Sequence, residues 1–248
     1  MSSGPAEAET GTPSPDSPHL LARFTGILLR PRSAFATVIR SPRWVGLLTT
    51  LTAASFAVSA LFFTTDVGRQ ALVDQWERTA LAFGRPMDEA RYATMQELSR
   101  RYAIPYAAGA TLVRGPVAAL AIATVVYGVF AVRGAQVAFR QVITTVVHAG
   151  VILTLRDIVA APINYVRESV ASPLTLLGFI GIVDESSPVA RFLALLDVFV
   201  VWWVLVLAIG IATLYGIRAR VAASALVGVY IGVSVLLAGA MAVLGANG

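Results

Sequence analysis

The sequence predicts an all-α integral membrane protein: a five-transmembrane-helix bundle with amphipathic interfacial and extracytoplasmic helices. Three observations carry that expectation. Hydrophobic residues fill 57% of the 248 positions and charged residues only 13%, about half the charged share of a soluble domain, so the chain lacks the polar surface to cover a water-soluble globule of its size. Five stretches are long and apolar enough for a bilayer span, which takes about 17–25 residues. The charged residues cluster mostly between those stretches.

Residues 1–19 combine Pro, Ser, Gly and acidic residues with no basic one. Such a stretch buries too little apolar surface to offset the entropy of ordering and is expected to be a disordered tail. No cleaved secretory signal is expected, because one needs a basic start followed at once by an apolar run. In 20–43, Leu20, Leu21, Phe24, Ile27 and Leu28 fall at helical spacing, punctuated by Arg23, Arg30 and Arg32. Pro31 breaks the run, Ser33 is placed to cap a short second helix carrying Phe35, Val38 and Ile39, and Pro42 stops it. The segment reads as an amphipathic interfacial piece in the headgroup plane.

The remainder, 44–247, reads as one five-span membrane domain, with spans at about 44–63, 115–132, 137–161, 193–217 and 221–247. The first is uncharged and begins at Trp44, an interfacial anchor. The third is the weakest by hydropathy: its uncharged centre runs only from Gln141 to Leu155, so it spans if Arg140 and Arg156 snorkel to opposite interfaces. Asp197 falls near the start of the fourth. Between the first two spans, 66–103 holds six arginines and six acids and reads as two amphipathic helices broken at Gly84-Arg85-Pro86. The apolar piece 173–183 is too short to cross and reads as interfacial or re-entrant.

Five spans place the termini on opposite sides. Arginines crowd into 20–43 and the two short loops around Arg133 and Arg218, and positive-inside bias is strongest in such short flanks. The expectation is a multi-pass protein of the cytoplasmic membrane, its N-terminus cytoplasmic and its C-terminus extracytoplasmic. The basic excess hugs membrane boundaries, so no nucleic-acid partner is expected. The expected partners are the lipid bilayer and other membrane proteins or further copies of the chain.

Several segments, taken in order, resemble bacterial members of the Yip1-domain family of polytopic membrane proteins. LRPRSAFATVIRSPRWVGLL at 29–48 is similar to the family's opening, where a Pro and a Phe on a short helix precede Pro-x-Trp and the first span. GAQVAFRQVITTVVHAG at 134–150 resembles its Gly-x-x-x-Phe-(Arg/Lys)-Gln approach to the third span. LLDVFVVWWVLVLAIGIATLYGIRAR at 195–220 resembles its Asp-x-Phe-x-x-Trp fourth span. The likeness covers roughly residues 24–245, and its weight lies in order and spacing. For eukaryotic relatives it implies five spans, a cytosolic N-terminus and work in early secretory traffic with Rab-type GTPases. Their Asp-Leu-Tyr-Gly-Pro motif is absent here, so a GTPase partner is not carried over.

Chemistry is bounded by what the chain lacks. It contains no cysteine, and all 19 basic residues are arginine. That excludes disulfides, thiolate metal sites, Schiff-base chemistry and Walker-type phosphate loops. There is no His-Glu-x-x-His, Gly-x-Ser-x-Gly or Gly-x-Gly-x-x-Gly, and the histidines are His19 and His148 alone. No catalytic residue, cofactor or metal site is expected.

Ionisable residues at membrane depth are functional candidates by default. Arg114, Arg156, Asp157 and Asp197 fall at the outer ends of spans two, three and four, where Arg114 with Asp157 or Arg156 with Asp197 would pair. Two readings stay open: the pairs lock the bundle, or they line an outward-facing polar pocket for an ion, a lipid headgroup or a small solute. His148, mid-span with Thr144 and Thr145 a turn earlier, reads as a neutral imidazole hydrogen-bonded to a neighbouring helix; a proton relay would need a second titrating group at that depth. Ala208, Ala212 and Gly216 on span four, and Ser224, Gly228 and Gly232 on span five, form small-residue stripes suited to close helix packing. The expected function is a non-catalytic membrane-organisation, trafficking-like or scaffold role, the alternative being a small transporter or channel using the Arg/Asp cluster.

Overall fold

A computed structural model describes residues 20–82, 84–180 and 187–246. The tail 1–19, the last three residues of the expected interfacial or re-entrant piece 173–183 and the last residue of the expected fifth span lie outside them. Twelve α-helices are described: α1 Leu20–Leu29, α2 Pro31–Arg40, α3 Val45–Phe63, α4 Asp66–Ala82, α5 Glu89–Ala108, α6 Arg114–Ala131, α7 Phe139–Ala149, α8 Val151–Val166, α9 Leu176–Ile180, α10 Pro188–Leu195, α11 Val198–Tyr215 and α12 Ala219–Ala246. Five continuous helical runs are long and apolar enough to cross a membrane: Val45–Phe63, Glu89–Ala131, Phe139–Val166, Val198–Tyr215 and Ala219–Val243. With no strand among the described residues, this is an all-α membrane bundle.

The third run is the central one, although its mean hydropathy of 1.7 equals that of the α5–α6 run. It is 61% buried inside the bundle, against 11% for the runs formed by α3, α5–α6 and α12. A central helix meets protein rather than lipid, so Thr144, Thr145, His148 and Thr154 are buried there at no cost in lipid exposure. Around it, Phe35, Val142, Val146, Leu207, Ala208 and Ile211 form the main core.

Two short connections close one end of the bundle, the amino-terminal face. The turn after α6 needs Gly134 at φ +81°, and α11 ends on Gly216 at φ +67°, both left-handed positions that favour glycine. Between them the Phe130 and Tyr215 rings stack with centroids 3.7 Å apart. The α1–α2 segment, whose apolar face reads as a membrane-interface surface, turns that face onto the bundle: Ile27 and Phe35 are fully buried, and Gln141 Nε2 donates to the Ile39 carbonyl at 3.4 Å. Helix α2 starts at Pro31, whose fixed φ suits the first turn. Ser33, expected as the cap, instead lies inside that turn and donates to the Arg30 carbonyl at 2.9 Å.

At the opposite face, α4 and α5 fold over the end of α3, where Phe63, Leu72, Ala103 and Ala107 are buried together. Tyr106 packs edge-on against both Phe63 and Trp76, at 6.1 and 5.8 Å. The expected start of span two at Gly115 is not a helix start. A π-helical turn, Gly109–Val113, joins α5 to α6 in one run of 43 residues. Pro105 removes a ladder hydrogen bond just before that turn, and Pro116 follows just after it, where the i→i−4 ladder is already displaced.

Candidate functional site

Asp197 lies outside helix α11 rather than within it. The chain is extended at Leu196, and Asp197 caps the helix: its Oδ1 accepts from the N–H groups of Phe199 at 2.8 Å and Val200 at 3.3 Å. Its Oδ2 accepts from Arg156 Nε at 2.7 Å and from Ser172 Oγ at 2.5 Å. The backbone joins in. Leu176 N–H donates to the Leu196 carbonyl at 2.8 Å and Val198 N–H to the Leu174 carbonyl at 3.0 Å, pinning the 172–176 segment beside Asp197. Asp197 N–H donates to the Tyr230 hydroxyl at 3.1 Å, and that hydroxyl donates to the Leu195 carbonyl at 2.6 Å. One carboxylate, 4% exposed, thus ties α8, the 172–176 segment and α11 together, and its backbone adds α12.

Of the charged candidates, the structure brings Arg156, Asp157 and Asp197 together and leaves Arg114 apart. Arg156 Nη1 lies 3.7 Å from Asp157 Oδ1. Arg114 is exposed at the start of α6 and forms no ion pair among the described residues, so its pairing with Asp157 is not made. His148 sits eight residues before Arg156, about 12 Å deeper along the helix. It is fully buried, and its Nδ1–H donates to the Thr144 carbonyl at 2.7 Å; a carbonyl only accepts, which fixes the proton on Nδ1.

The small-residue stripes divide. Ala208 and Ala212 are buried, whereas Gly216 ends its helix. On α12, Ser224 is exposed, and a Cβ built on Gly228 or Gly232 meets nothing within 4 Å. Within α11 a close approach requires glycine at Gly210, where a Cβ would stand 2.6 Å from Thr145 Cγ2 and 2.9 Å from Phe35 Cζ.

Between α3, the α5–α6 run and α8 lies a cleft of about 800 Å³. Its end toward the amino-terminal face is apolar, with Leu48, Leu51 and Ile122. Its other end carries Ser59, Thr111, Arg114, Asp157 and Asn164. The π turn contributes Ala110 and Thr111 to this wall, a common use of such turns. Ser172, Tyr230, Asn164 and Gly210 were not singled out from sequence. A tyrosine in an uncharged span and a serine before Pro173 are the faint signals that the first two leave.

The family model described as the Yip1 domain matches residues 25–242. The chain belongs to the Yip1 family. No curated protein and no solved structure matches it. The segments of Yip1-like spacing now have physical roles in this Yip1 protein. Gly134 makes the turn, Phe139 packs edge-on against Tyr127 at 5.6 Å, and Gln141 Oε1 accepts from Ala138 N–H at 3.1 Å to cap α7. In the fourth-span segment Asp197 is the cap, and Phe199 packs against Trp202 at 5.7 Å.

Proposed function

We propose that this Yip1 protein is a non-catalytic organiser of the cytoplasmic membrane, acting through lipid contacts and through contacts with other membrane proteins or further copies of itself. The observation that supports this best is Asp197. Each of its carboxylate oxygens already accepts two hydrogen bonds from the chain, so the acid most suited to a transported cation is engaged in holding helices together. The apolar outer faces of α3, α6 and α12 offer the lipid-facing and partner-facing surface such a role uses.

The test is flux against assembly. In vesicles containing the purified chain, Asp197→Ala and Arg114→Gln are expected to leave ion and small-solute permeability at the level of protein-free vesicles, as the native chain does. Solute flux that the native chain supports and Arg114→Gln abolishes, with insertion unchanged, would mean transport instead.

The orientation we propose has the amino terminus and the arginine-rich α1–α2 segment in the cytoplasm. An alkaline phosphatase reporter fused after Gly248 is expected to be active and one fused at Met1 inactive; the reverse pattern overturns the orientation.

A further inference from the structure

We propose that the cleft between α3, the α5–α6 run and α8 binds a zwitterionic amphiphile, with a headgroup that joins a phosphate to a primary ammonium and an acyl chain lying in the apolar half. The inference rests on the non-catalytic reading above and names the lipid class it would engage.

Each wall of the cleft carries apolar residues toward the amino-terminal face and polar ones farther along, with Phe62, Phe63 and Tyr106 beyond these on two of the walls. On α3 the lining passes from Leu48 and Leu51 through Thr52 to Ser55 and Ser59, with Val58 between them and Phe62 and Phe63 beyond; on α6 it passes from Ile122 and Ala119 to Arg114. On the central run it passes from Val146 and Val147 to Asp157 and Asn164. From Leu48 to Ser59 this gradient extends about 16 Å along the helix axis. A compact polar solute matches one end only, and a bare hydrocarbon leaves charges facing it at the other. An amphiphile matches both.

The charges specify its headgroup. Arg114 lies 17 residues from the end of α6 at Ala131, and Asp157 lies 18 residues from the start of α7 at Phe139, so they stand at similar depth on different walls. Arg114 has no acidic partner within 4 Å among the described residues. Asp157 has one ion contact, the 3.7 Å approach of Arg156 Nη1, and the Nε of that same guanidinium is committed to Asp197 at 2.7 Å. A phosphate on Arg114 together with an ammonium on Asp157 neutralises both, where an isolated charge at this depth is costly. The carbonyl oxygen of Asn164, about two turns beyond Asp157 on the same wall and buried without a hydrogen-bond partner among the described residues, is a second acceptor. A primary ammonium has N–H groups for these acceptors, whereas a choline headgroup has none. An anionic glycerol headgroup in the same pose sets an uncharged glycerol against Asp157 and leaves that carboxylate unbalanced.

The experiment is native mass spectrometry of the full chain in mild detergent with dioleoyl phosphatidylethanolamine, phosphatidylcholine and phosphatidylglycerol at equal concentration. One equivalent of the ethanolamine lipid is expected to be retained about tenfold more than either competitor. Arg114→Gln and Asp157→Asn are each expected to reduce that retention to the choline-lipid level. Arg114 is exposed, so its variant keeps the fold. Ala118→Phe, which fills the cleft without altering a charge, is expected to abolish the preference as well. Soluble phosphoethanolamine at the same concentration is expected not to displace the lipid. Equal retention of the ethanolamine and choline lipids, preference for the glycerol lipid, unchanged retention in Arg114→Gln, or displacement by the soluble headgroup each overturns the proposal. Vesicle flux is read separately, so a failed lipid preference leaves the non-catalytic reading standing, and flux alone overturns that reading.

Discussion

Asp197→Ala is expected to destabilise the bundle by about 3–5 kcal/mol, the usual cost of removing one partner from a buried ion pair. The side chain of Asp197 is 5% exposed and that of Arg156 30%, so the guanidinium left behind is only partly rescued by solvent. The same substitution uncaps α11 and releases Ser172, which frees the 172–176 segment from its place beside the helix. Asp197→Asn separates these contributions. It keeps an oxygen for the cap and an amide in the site while removing the charge, and its loss is expected to be smaller. Arg156→Met added to Asp197→Asn removes the orphaned cation and is expected to recover stability toward the native value. Thermal unfolding in a fixed detergent reads all three. A destabilisation of Asp197→Ala below about 1 kcal/mol, within the range of an exposed pair, would falsify the lock.

What the sequence made legible was what depends on local composition and short-range spacing. Runs of apolar residues marked the five crossings, Pro31 and the Gly84 region marked breaks, and the order of Gly134, Phe139, Gln141 and Asp197 marked the family. What it hid depends on which residues meet across the bundle. The central burial of the third run leaves no mark on its mean hydropathy, which is 1.7 both there and in the far less buried α5–α6 run. Asp197 reads as a charge inside a span until the extended backbone at Leu196 is known; then it is a helix cap. Arg114 and Asp157 carry opposite charges at similar depth, yet Ser55 and the neighbouring Arg156 lie beside Asp157 while Arg114 faces the cleft. The π turn, which sets the azimuth of Arg114, has no sequence signature beyond a proline four residues upstream.

Gly210 separates two accounts of the small residues. If stripes at four-residue spacing governed packing, Gly228 and Gly232 would be the sensitive positions. The structure places the constraint elsewhere. Phe35, fully buried on α2, enters the gap that Gly210 leaves between α11 and Thr145 of α7. Thr145 is β-branched, and its hydroxyl donates to the Gln141 carbonyl at 2.9 Å, so its methyl is held in place rather than free to swing away. A glycine-to-alanine change in a helix ordinarily stabilises by about 1 kcal/mol. At Gly210 the added methyl stands 2.6 Å from that Thr145 methyl and 2.9 Å from the ring, and overpacking of this kind costs about 1–3 kcal/mol. Gly210→Ala is therefore expected to lower the unfolding temperature, and Gly210→Leu to expel α2, exposing the bonds after Arg32 and Arg40 to rapid trypsin cleavage. Thr145→Ser removes the nearest atom and is expected to restore much of the stability of Gly210→Ala. Gly228→Ala and Gly232→Ala, with open space around them, are expected to be neutral or slightly stabilising in a monomer. Stabilisation by Gly210→Ala with unchanged trypsin resistance would mean that Phe35 yields without cost and that α2 is not wedged against the bundle. Loss of stability at Gly228 or Gly232 instead would place the governing contact on the outer face of α12, between copies of the chain or against another membrane protein.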